Sequence, residues 1–237
     1  LKQSPTANIN NALAGRMPGL LVNQFNGGEP GNDAAQLNIR GKSTYGKSDV
    51  IMIVDGIERD MSYLSPDEIE TFTILKDASA TAPYGIRGAN GVILITTKKG
   101  NARKQQPVTF TSNLTLQSPF SLPAFQNRYG VSDGVESWGA RARMKTYDNA
   151  GDFFRTGITA MNAVSVSSGS EQVQNYFSYA NTAERGITGS NRLMRHNFNL
   201  RTTTGLFRQR LKLDGNISFM RQVVEDKPVP GGFYMNP

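Results

Sequence analysis

The chain has 237 residues, of which 38% are hydrophobic and 9% aromatic, enough for the core of one domain and of a second unit. It contains no cysteine and a single histidine, His196, which excludes disulfides and disfavours a zinc or iron site built on sulfur and imidazole. The formal charge of +7 admits nucleic-acid binding, but the basic residues are dispersed and the segment from Asp49 to Asp77 is acidic.

Up to about residue 105, the sequence mixes short helices with short strands. The predicted elements are a helix over 8–16, strands over 19–24, 36–41 and 50–56, a helical turn from Ser65, a strand over 70–75, a helix over 78–82 and a strand over 92–97. Ser65, Pro66 and Glu68 form the pattern of a capping box. The last strand, VILITT, is apolar on consecutive residues, which indicates burial on both faces. This part is predicted to be an α+β unit around a small mixed sheet.

After residue 105, the pattern changes to long strands that alternate apolar and polar residues. They are predicted over 108–117, 159–168, 173–182, 195–204 and 211–219. A length of about ten residues suits a tilted strand that crosses an outer membrane, whereas strands of soluble sandwiches are usually shorter. The turns at 169–172 and 205–209 are tight and the other connections are longer, which is typical of such barrels. Five strands leave open edges, so we expect only the opening part of a transmembrane β-barrel.

The segment GKSTYGKS matches the spacing of a phosphate-binding loop. Gly41, Gly46, Lys47 and Ser48 fit the pattern, and Asp55 ends the next apolar run as a metal-holding aspartate would. A phosphate loop must lead into a helix, however, and here Asp49 leads directly into the strand VIMIVD. A nucleotide-dependent enzyme that uses Lys47 is therefore an alternative, and a surface loop is the favoured interpretation.

Two further motifs have plain structural explanations. GIRGANG resembles the backbone clamp of a KH domain, but it leads into a strand; glycines that allow a close turn, with Arg87 paired to a carboxylate, explain it better. Asp55, Glu58 and Asp60 could hold a hard cation, but they lack the spacing of an EF-hand, and ion pairs in a solvated turn are the default. A basic nucleic-acid-binding module stays as a further alternative, although it does not explain the amphipathic strands.

Several segments together resemble one family. NALAGRMPGLLVNQ, LNIRGKSTYGKSDVIMIVDGI and LSPDEIETFTILKDASATAPYGIRGANGVILITTKKG are similar to the plug domain of SusC/RagA-family TonB-dependent outer-membrane transporters. SVSSGSEQVQNYFSYANTAERGI and RHNFNLRTTTG resemble the first barrel strands of that family. The resemblance implies a plug domain over residues 1–105, followed over 106–237 by N-terminal strands and loops of an incomplete outer-membrane β-barrel.

The resemblance also implies a function without catalysis. The whole protein would import a large nutrient, an oligosaccharide or a peptide, across a Gram-negative outer membrane, with a SusD-like surface lipoprotein and with TonB, whose contact segment we expect to lie outside this chain. No catalytic residue, metal, cofactor or nucleic-acid partner is expected, and no substrate-binding residue is assigned. The residues expected to lock the plug in place are Arg40, Gly41, Asp55, Gly56, Asp77, Tyr84, Gly85, Arg87, Gly88 and Gly91.

Overall fold

The computed structural model describes residues 6–24, 27, 29–39, 41, 49–101, 107–122, 124, 126, 128–131, 139–141, 147–207 and 210–226. Its α-helices are α1 (Ile9–Ala12), α2 (Ala78–Thr81) and α3 (Asn149–Phe153), and 3₁₀ turns span Met61–Tyr63, Pro66–Glu68 and Ala82–Asn90. The strands of the first part are β1 (Leu20–Asn23), β2 (Gln36–Ile39), β3 (Ile51–Val54), β4 (Ile57–Glu58), β5 (Ile69–Leu75) and β6 (Val92–Thr97). The later strands are β7 (Val108–Gln117), β8 (Gly157–Gly169), β9 (Val173–Arg185), β10 (Arg192–Leu206) and β11 (Leu211–Glu225).

The first part is built on a mixed sheet, as the sequence predicts. Its strands lie in the order β4-β3-β6-β5, with β3 parallel to β6 and the other pairs antiparallel. Strand β6 is central, and Val92 and Ile93 are fully buried because neighbouring elements cover both of its faces. Ile9 and Leu13, from α1 and the turn that follows it, join the same apolar core, against which the separate β1–β2 pair packs.

The glycine-rich segment before β6 forms a tight bend that is largely exposed, with Gly88 and Gly91 buried. Gly85 and Gly91 have φ values of +59° and +94°, in the region that favours glycine. A Cβ on Gly91 would lie 2.7 Å from Cδ1 of Ile39, and one on Gly88 would lie 2.9 Å from the carbonyl oxygen of Thr81. The bend therefore requires glycine both for its backbone conformation and for its close packing.

The later strands form one antiparallel sheet. Within the described residues, five strands pair in chain order from β7 to β11, and each has 10 to 15 residues. The sheet does not close on itself in this part of the chain. Residues 170–172 join β8 to β9 by a tight turn, and the longer connection 186–191 joins β9 to β10 at the opposite end.

The two faces of this sheet have a polarity that is inverted relative to a soluble protein. On the inner face, which contacts the first part, Arg195 and Arg201 of β10 are 8% and 5% exposed. On the outer face, Phe198 and Leu200 of the same strand are 46% and 43% exposed. Period-two alternation with the apolar residues outward is the pattern of strands that face lipid and enclose a polar interior.

The outer face can be described as five rows, each of which crosses the sheet from β7 to β11. The rows are Val108–Val166–Phe177–Leu200–Ile217, Phe110–Val164–Tyr179–Phe198–Phe219, Ser112–Asn162–Asn181–His196–Arg221, Leu114–Ala160–Ala183–Met194–Val223 and Leu116–Ile158–Arg185–Arg192–Glu225. All the charged residues in these rows lie in the third and fifth rows, in the half of the sheet that is nearer the longer connections.

The α-helices in the described ranges have at most five residues and are too short to span a bilayer.

Three local predictions differ from the structure, and the first is the helix over 8–16, which spans only Ile9–Ala12. The capping box forms only in part: the backbone N–H of Ser65 donates to the buried carboxyl group of Glu68, but Ser65 Oγ accepts from the amide of Asp67 rather than from that of Glu68. The turn that Ser65 begins is a 3₁₀ turn rather than an α-helical one. The predicted helix over 78–82 ends at Thr81, and residues 82–90 continue it as 3₁₀ turns that Gly85 interrupts. These segments are short, so tertiary packing outweighs local propensity.

Candidate functional site at the junction of the two sheets

Asp55 lies at the tip of the β3–β4 hairpin, beside the end of β6. Asp55 and Gly56 have φ values of +51° and +85° and form a two-residue turn of the kind that Asp-Gly favours. The carboxylate of Asp55 accepts a hydrogen bond from the amide of Thr97 at 3.0 Å and another from its hydroxyl at 2.6 Å. The turn thus presents a fixed carboxylate at the edge of the first part.

Arg201 of β10 reaches this carboxylate from the second sheet. Its Nη1 donates to Asp55 Oδ1 at 3.0 Å, to Thr97 Oγ1 at 2.7 Å and to the carbonyl oxygen of Thr97 at 3.2 Å. Its Nε and Nη2 donate to the two carboxylate oxygens of Asp214 on β11, at 2.8 and 2.7 Å. Lys99 forms an ion pair with Asp214 at 3.2 Å. We call this set of five residues (Asp55, Thr97, Lys99, Arg201 and Asp214) the arginine junction.

The charges of the arginine junction balance, because two carboxylates face two cations. Burial disfavours ionisation of Asp55, but the hydrogen bonds from Thr97 and Arg201 outweigh that effect and lower the pKa of Asp55. Asp55 therefore stays ionised at neutral pH. A planar guanidinium shared between two carboxylates is a geometry that lysine cannot reproduce.

A second contact is made by Arg195 and Asn197, which precede Arg201 on the same face of β10. Arg195 Nη1 donates to the carbonyl oxygen of Ala7 at 3.2 Å and to that of Ser62 at 3.4 Å, while its Nε donates to Gln222 at 2.8 Å. Asn197 donates to the carbonyl oxygen of Tyr63 at 2.5 Å. These side chains bind backbone oxygens that the mixed sheet does not use.

The two parts also touch at close backbone approaches. Asn191 donates to the carbonyl oxygen of Pro30 at 3.2 Å. A Cβ on Gly31 would lie 2.7 Å from a methyl group of Val224, and one on Gly100 would lie 2.3 Å from the backbone nitrogen of Asn175. Only glycine fits at these two positions without displacement of the chain.

Two buried carboxyl groups of the first part border the contact. Burial raises the pKa of Glu68 to about 7, and its Oε1 has no hydrogen-bond partner among the described residues. Burial also raises the pKa of Asp33, although the nearby charge of Arg195 partly offsets it.

The structure brings only some of the predicted locking residues to the second sheet. Asp55 and Gly56 lie at the arginine junction, whereas Arg87 forms an ion pair with Glu58 within the first part, and both side chains are largely exposed. Tyr84, Gly85, Gly88 and Gly91 belong to the bend before β6, and Asp77 precedes α2. Gly41 is exposed with a φ of +82°. Arg40 lies outside the described residues.

The sequence-based prediction missed the residues that the second sheet supplies. These are Arg195, Asn197, Arg201 and Asp214, together with Thr97 and Lys99 from the first part. The available signal was the polar face of RHNFNLRTTT, on which Arg195, Asn197 and Arg201 lie because they are separated by even numbers of residues. Polar residues on the strand face that packs against a folded unit are candidates for contacts with it.

The other motifs do not form sites in the described residues. Glu58 pairs with Arg87, Asp55 binds Arg201, and the carboxylate of Asp60 accepts from the amide of Ser62, so the three acids do not converge. No cluster of metal-ligating side chains occurs in the part of the chain that the structure describes. Residues 42–48, with Gly46, Lys47 and Ser48, lie outside it. The segment that follows them is strand β3 and not the helix that a phosphate loop requires.

A small α+β unit seated by buried polar contacts on the inner face of a sheet with an apolar outer face is the arrangement of a plug domain against part of a barrel wall. Comparison with known proteins agrees with this class. Residues 1–92 match the family model described as TonB-dependent Receptor Plug Domain.

The similar proteins include the TonB-dependent receptor SusC of Bacteroides thetaiotaomicron, which is 32% identical over 93% of this chain and 23% of that protein. The TonB-dependent receptor P3 of Formosa agariphila is 35% identical over 81% of this chain and 19% of that protein. A solved structure of the RagAB peptide transporter superposes with a TM-score of 0.82 at 24% identity, over 98% of this chain and 31% of that chain, which shows the shared fold.

The chain belongs to the SusC/RagA family of TonB-dependent receptors, of which it carries the plug domain and strands that match the barrel wall. It spans about a fifth to a quarter of the length of the curated relatives named above. The family consists of outer-membrane receptors and transporters rather than enzymes, so the nucleotide-dependent enzyme is no longer an alternative.

Proposed function

We propose that the protein imports a large nutrient, an oligosaccharide or a peptide, across the outer membrane of a Gram-negative bacterium. In this proposal the first part closes the lumen of the barrel, a SusD-like surface lipoprotein delivers the nutrient, and TonB supplies the work of opening. Similarity to the TonB-dependent receptor SusC supports the role of TonB, and similarity to the RagAB peptide importer supports a peptide as the nutrient. The oligosaccharide and the SusD-like lipoprotein are proposed from the family resemblance of the sequence.

The arginine junction is the observation that carries the gating role. It joins residues that are 146 positions apart, and Arg201 supplies three hydrogen bonds across the contact. Because these bonds connect charged or polar groups, water can replace them when the plug moves, at a smaller cost than the exposure of an apolar seal of equal area. A contact of this kind holds a plug and still allows it to open.

The predicted locking residues divide into two roles in this proposal. Asp55 and Gly56 hold the plug to the wall through the arginine junction. Gly85, Gly88 and Gly91, together with Tyr84, keep the plug itself rigid, so that its contact surface has one shape. Arg87 contributes little to this, because its ion pair with Glu58 is exposed. Arg40, Gly41 and Asp77 stay assigned to locking on the family resemblance alone.

The polarity of the second sheet supports the location in an outer membrane. The outer face carries Phe110, Phe198, Phe219 and Leu200 in adjoining rows, and these side chains are 43% to 70% exposed. An exposed apolar surface of this extent requires a cover, and the hydrocarbon of a bilayer provides one.

Genetic complementation with the full-length protein tests the proposal. Cells that lack the gene are supplied with the wild type or with Arg201→Met, and growth on defined oligosaccharides and peptides is measured with and without TonB and a SusD-like lipoprotein. We expect growth on one nutrient class, lost without TonB. Growth of the complemented cells that is independent of TonB on every nutrient would contradict energised import.

A further inference from the structure

The outer face of the second sheet carries a groove at the end with the longer connections. Its volume is about 460 Å³, and it extends across β8 to β11. Ala160 and Ala183 face each other in register and form its floor, because these small side chains lie beside the larger Met194. The groove is therefore a depression with an apolar floor on the surface proposed to face lipid, and its charged lining residues include Arg185, Arg192 and Glu225.

Two arginines border the groove on adjacent strands. Arg185 of β9 and Arg192 of β10 are directly opposite in register, and both are exposed. Like charges at directly opposed positions of a sheet repel each other. Neither arginine forms an ion pair with a described carboxylate, and this includes Glu225, which is opposite Arg192 on its other side. The pair thus offers two guanidinium groups to an external anion.

The remaining charges of this face have the same bias. In the described strands, the outward positions carry three cations (Arg185, Arg192 and Arg221) and one carboxylate (Glu225), all in the half that is nearer the longer connections. The other half of the outer face is apolar or uncharged. The charge distribution is complementary to a layer of anionic head groups at one edge of an apolar band.

We propose that this groove binds a phosphate-bearing lipid, with the phosphate between Arg185 and Arg192 and an acyl chain over Ala160 and Ala183. Arginine is suited to phosphate because its planar fork donates two parallel hydrogen bonds. The apolar floor begins one row below the arginines, which is the order of phosphate and hydrocarbon in a bilayer leaflet. The inference rests on the proposed function, since it requires that this face lies in a membrane.

Lipid binding to the full-length protein, purified in mild detergent and stripped of lipid, tests the inference. Native mass spectrometry measures the binding of phosphatidic acid, of diacylglycerol with the same chains, and of phosphatidic acid in the presence of inorganic phosphate. Three variants are compared with the wild type. Arg185→Gln/Arg192→Gln removes both charges, Ala183→Leu fills the floor but keeps both arginines, and Arg210→Gln is a matched control at the opposite end of the sheet.

We expect the wild type to bind phosphatidic acid roughly tenfold or more tightly than diacylglycerol, because charged hydrogen bonds to phosphate supply the difference. The double arginine variant should lose that preference, Ala183→Leu should bind both lipids more weakly, and Arg210→Gln should match the wild type. Equal phosphatidic acid binding by the wild type and the double variant overturns the inference. So does full displacement of the lipid by inorganic phosphate, which would indicate a bare anion site.

Membrane fractionation of the cells that produce the full-length protein distinguishes failure of the lipid-site inference from failure of the proposed function. If the protein fractionates with outer membranes and all variants bind lipid alike, only the lipid site is wrong. If it fractionates with soluble proteins, the proposed function is wrong and the lipid site falls with it.

Discussion

Replacement of Arg201 by methionine should loosen the plug on the barrel wall. Methionine keeps much of the side-chain length but removes the three hydrogen bonds that cross the contact, and it leaves Asp55 and Asp214 without their shared cation. Loss of one member of a buried ion pair costs about 3–5 kcal/mol. Since two of the five bonds of Arg201 lie within the wall, we assign about 3 kcal/mol to the seating of the plug, which corresponds to roughly a hundredfold change in the opening equilibrium.

Two measurements on the full-length protein check this value. Conductance of the protein in planar bilayers reports passive leak, and hydrogen exchange at the amide of Thr97, which donates to Asp55, reports local opening. Both should rise for Arg201→Met. Arg221→Met is the matched control, because Arg221 lies on the outer face of β11, away from the plug.

A double-mutant cycle with Asp55→Asn isolates the pairwise interaction. Asparagine tolerates the positive φ of position 55, so this variant removes the charge and retains the turn. We expect a coupling free energy above about 1 kcal/mol between positions 55 and 201, in the range of residues in direct contact. Wild-type leak and exchange rates in Arg201→Met would refute the idea that the arginine junction holds the plug.

Three other substitutions test the plug itself in the full-length protein. Because burial raises the pKa of Glu68 from 4.5 to about 7, the plug should lose stability as pH rises between those values. The assay measures the urea concentration at which a protease cleaves half of the plug at pH 8. Glu68→Gln should remove the pH dependence and raise this midpoint by an amount equivalent to about 3 kcal/mol of plug stability. The control Glu70→Gln, at an exposed position, should leave the midpoint unchanged. Gly91→Ala should destabilise the plug by about 1–3 kcal/mol in the same assay, since its Cβ would overlap Ile39 at a φ of +94°; an unchanged midpoint would contradict the packing. Arg87→Ala should change the midpoint by less than about 1 kcal/mol, because its pair with Glu58 is solvent-exposed, and a larger loss would restore Arg87 as a lock.

The long strands could be predicted from the sequence because their alternation is strong and repeated. The strand from Val108 ends at Gln117 as predicted, and the strand over 159–168 extends by only two residues at one end and one at the other. In the first part, the sequence predicted every strand except β4, and it predicted the turn from Ser65, which forms as a 3₁₀ turn. Ser65 and Glu68 match a capping box in sequence, and the structure forms the half in which the Ser65 amide donates to Glu68, while the 3₁₀ turn brings the amide of Asp67 rather than that of Glu68 to Ser65 Oγ.

Only part of the plug side of the candidate site could be predicted from the sequence. Asp55 was identified because an Asp-Gly turn after an apolar strand is a visible local signal. Arg201 and Asp214 were not, because their role depends on how a distant strand packs against that turn, and no local pattern records the register between the two. Arg87 was predicted to lock the plug because it lies in a glycine-rich bend, yet its contact in the structure is with Glu58, inside the plug.

The division of the arginine junction between two parts of the chain limits how these proteins can be recombined. A plug from a relative, placed behind these strands, would need its own acid opposite Arg201 and its own glycine opposite Asn175, or it would meet an unbalanced charge and a steric clash at the wall. Chimaeras of such transporters should therefore function only when matched stretches of wall are transferred together with the plug.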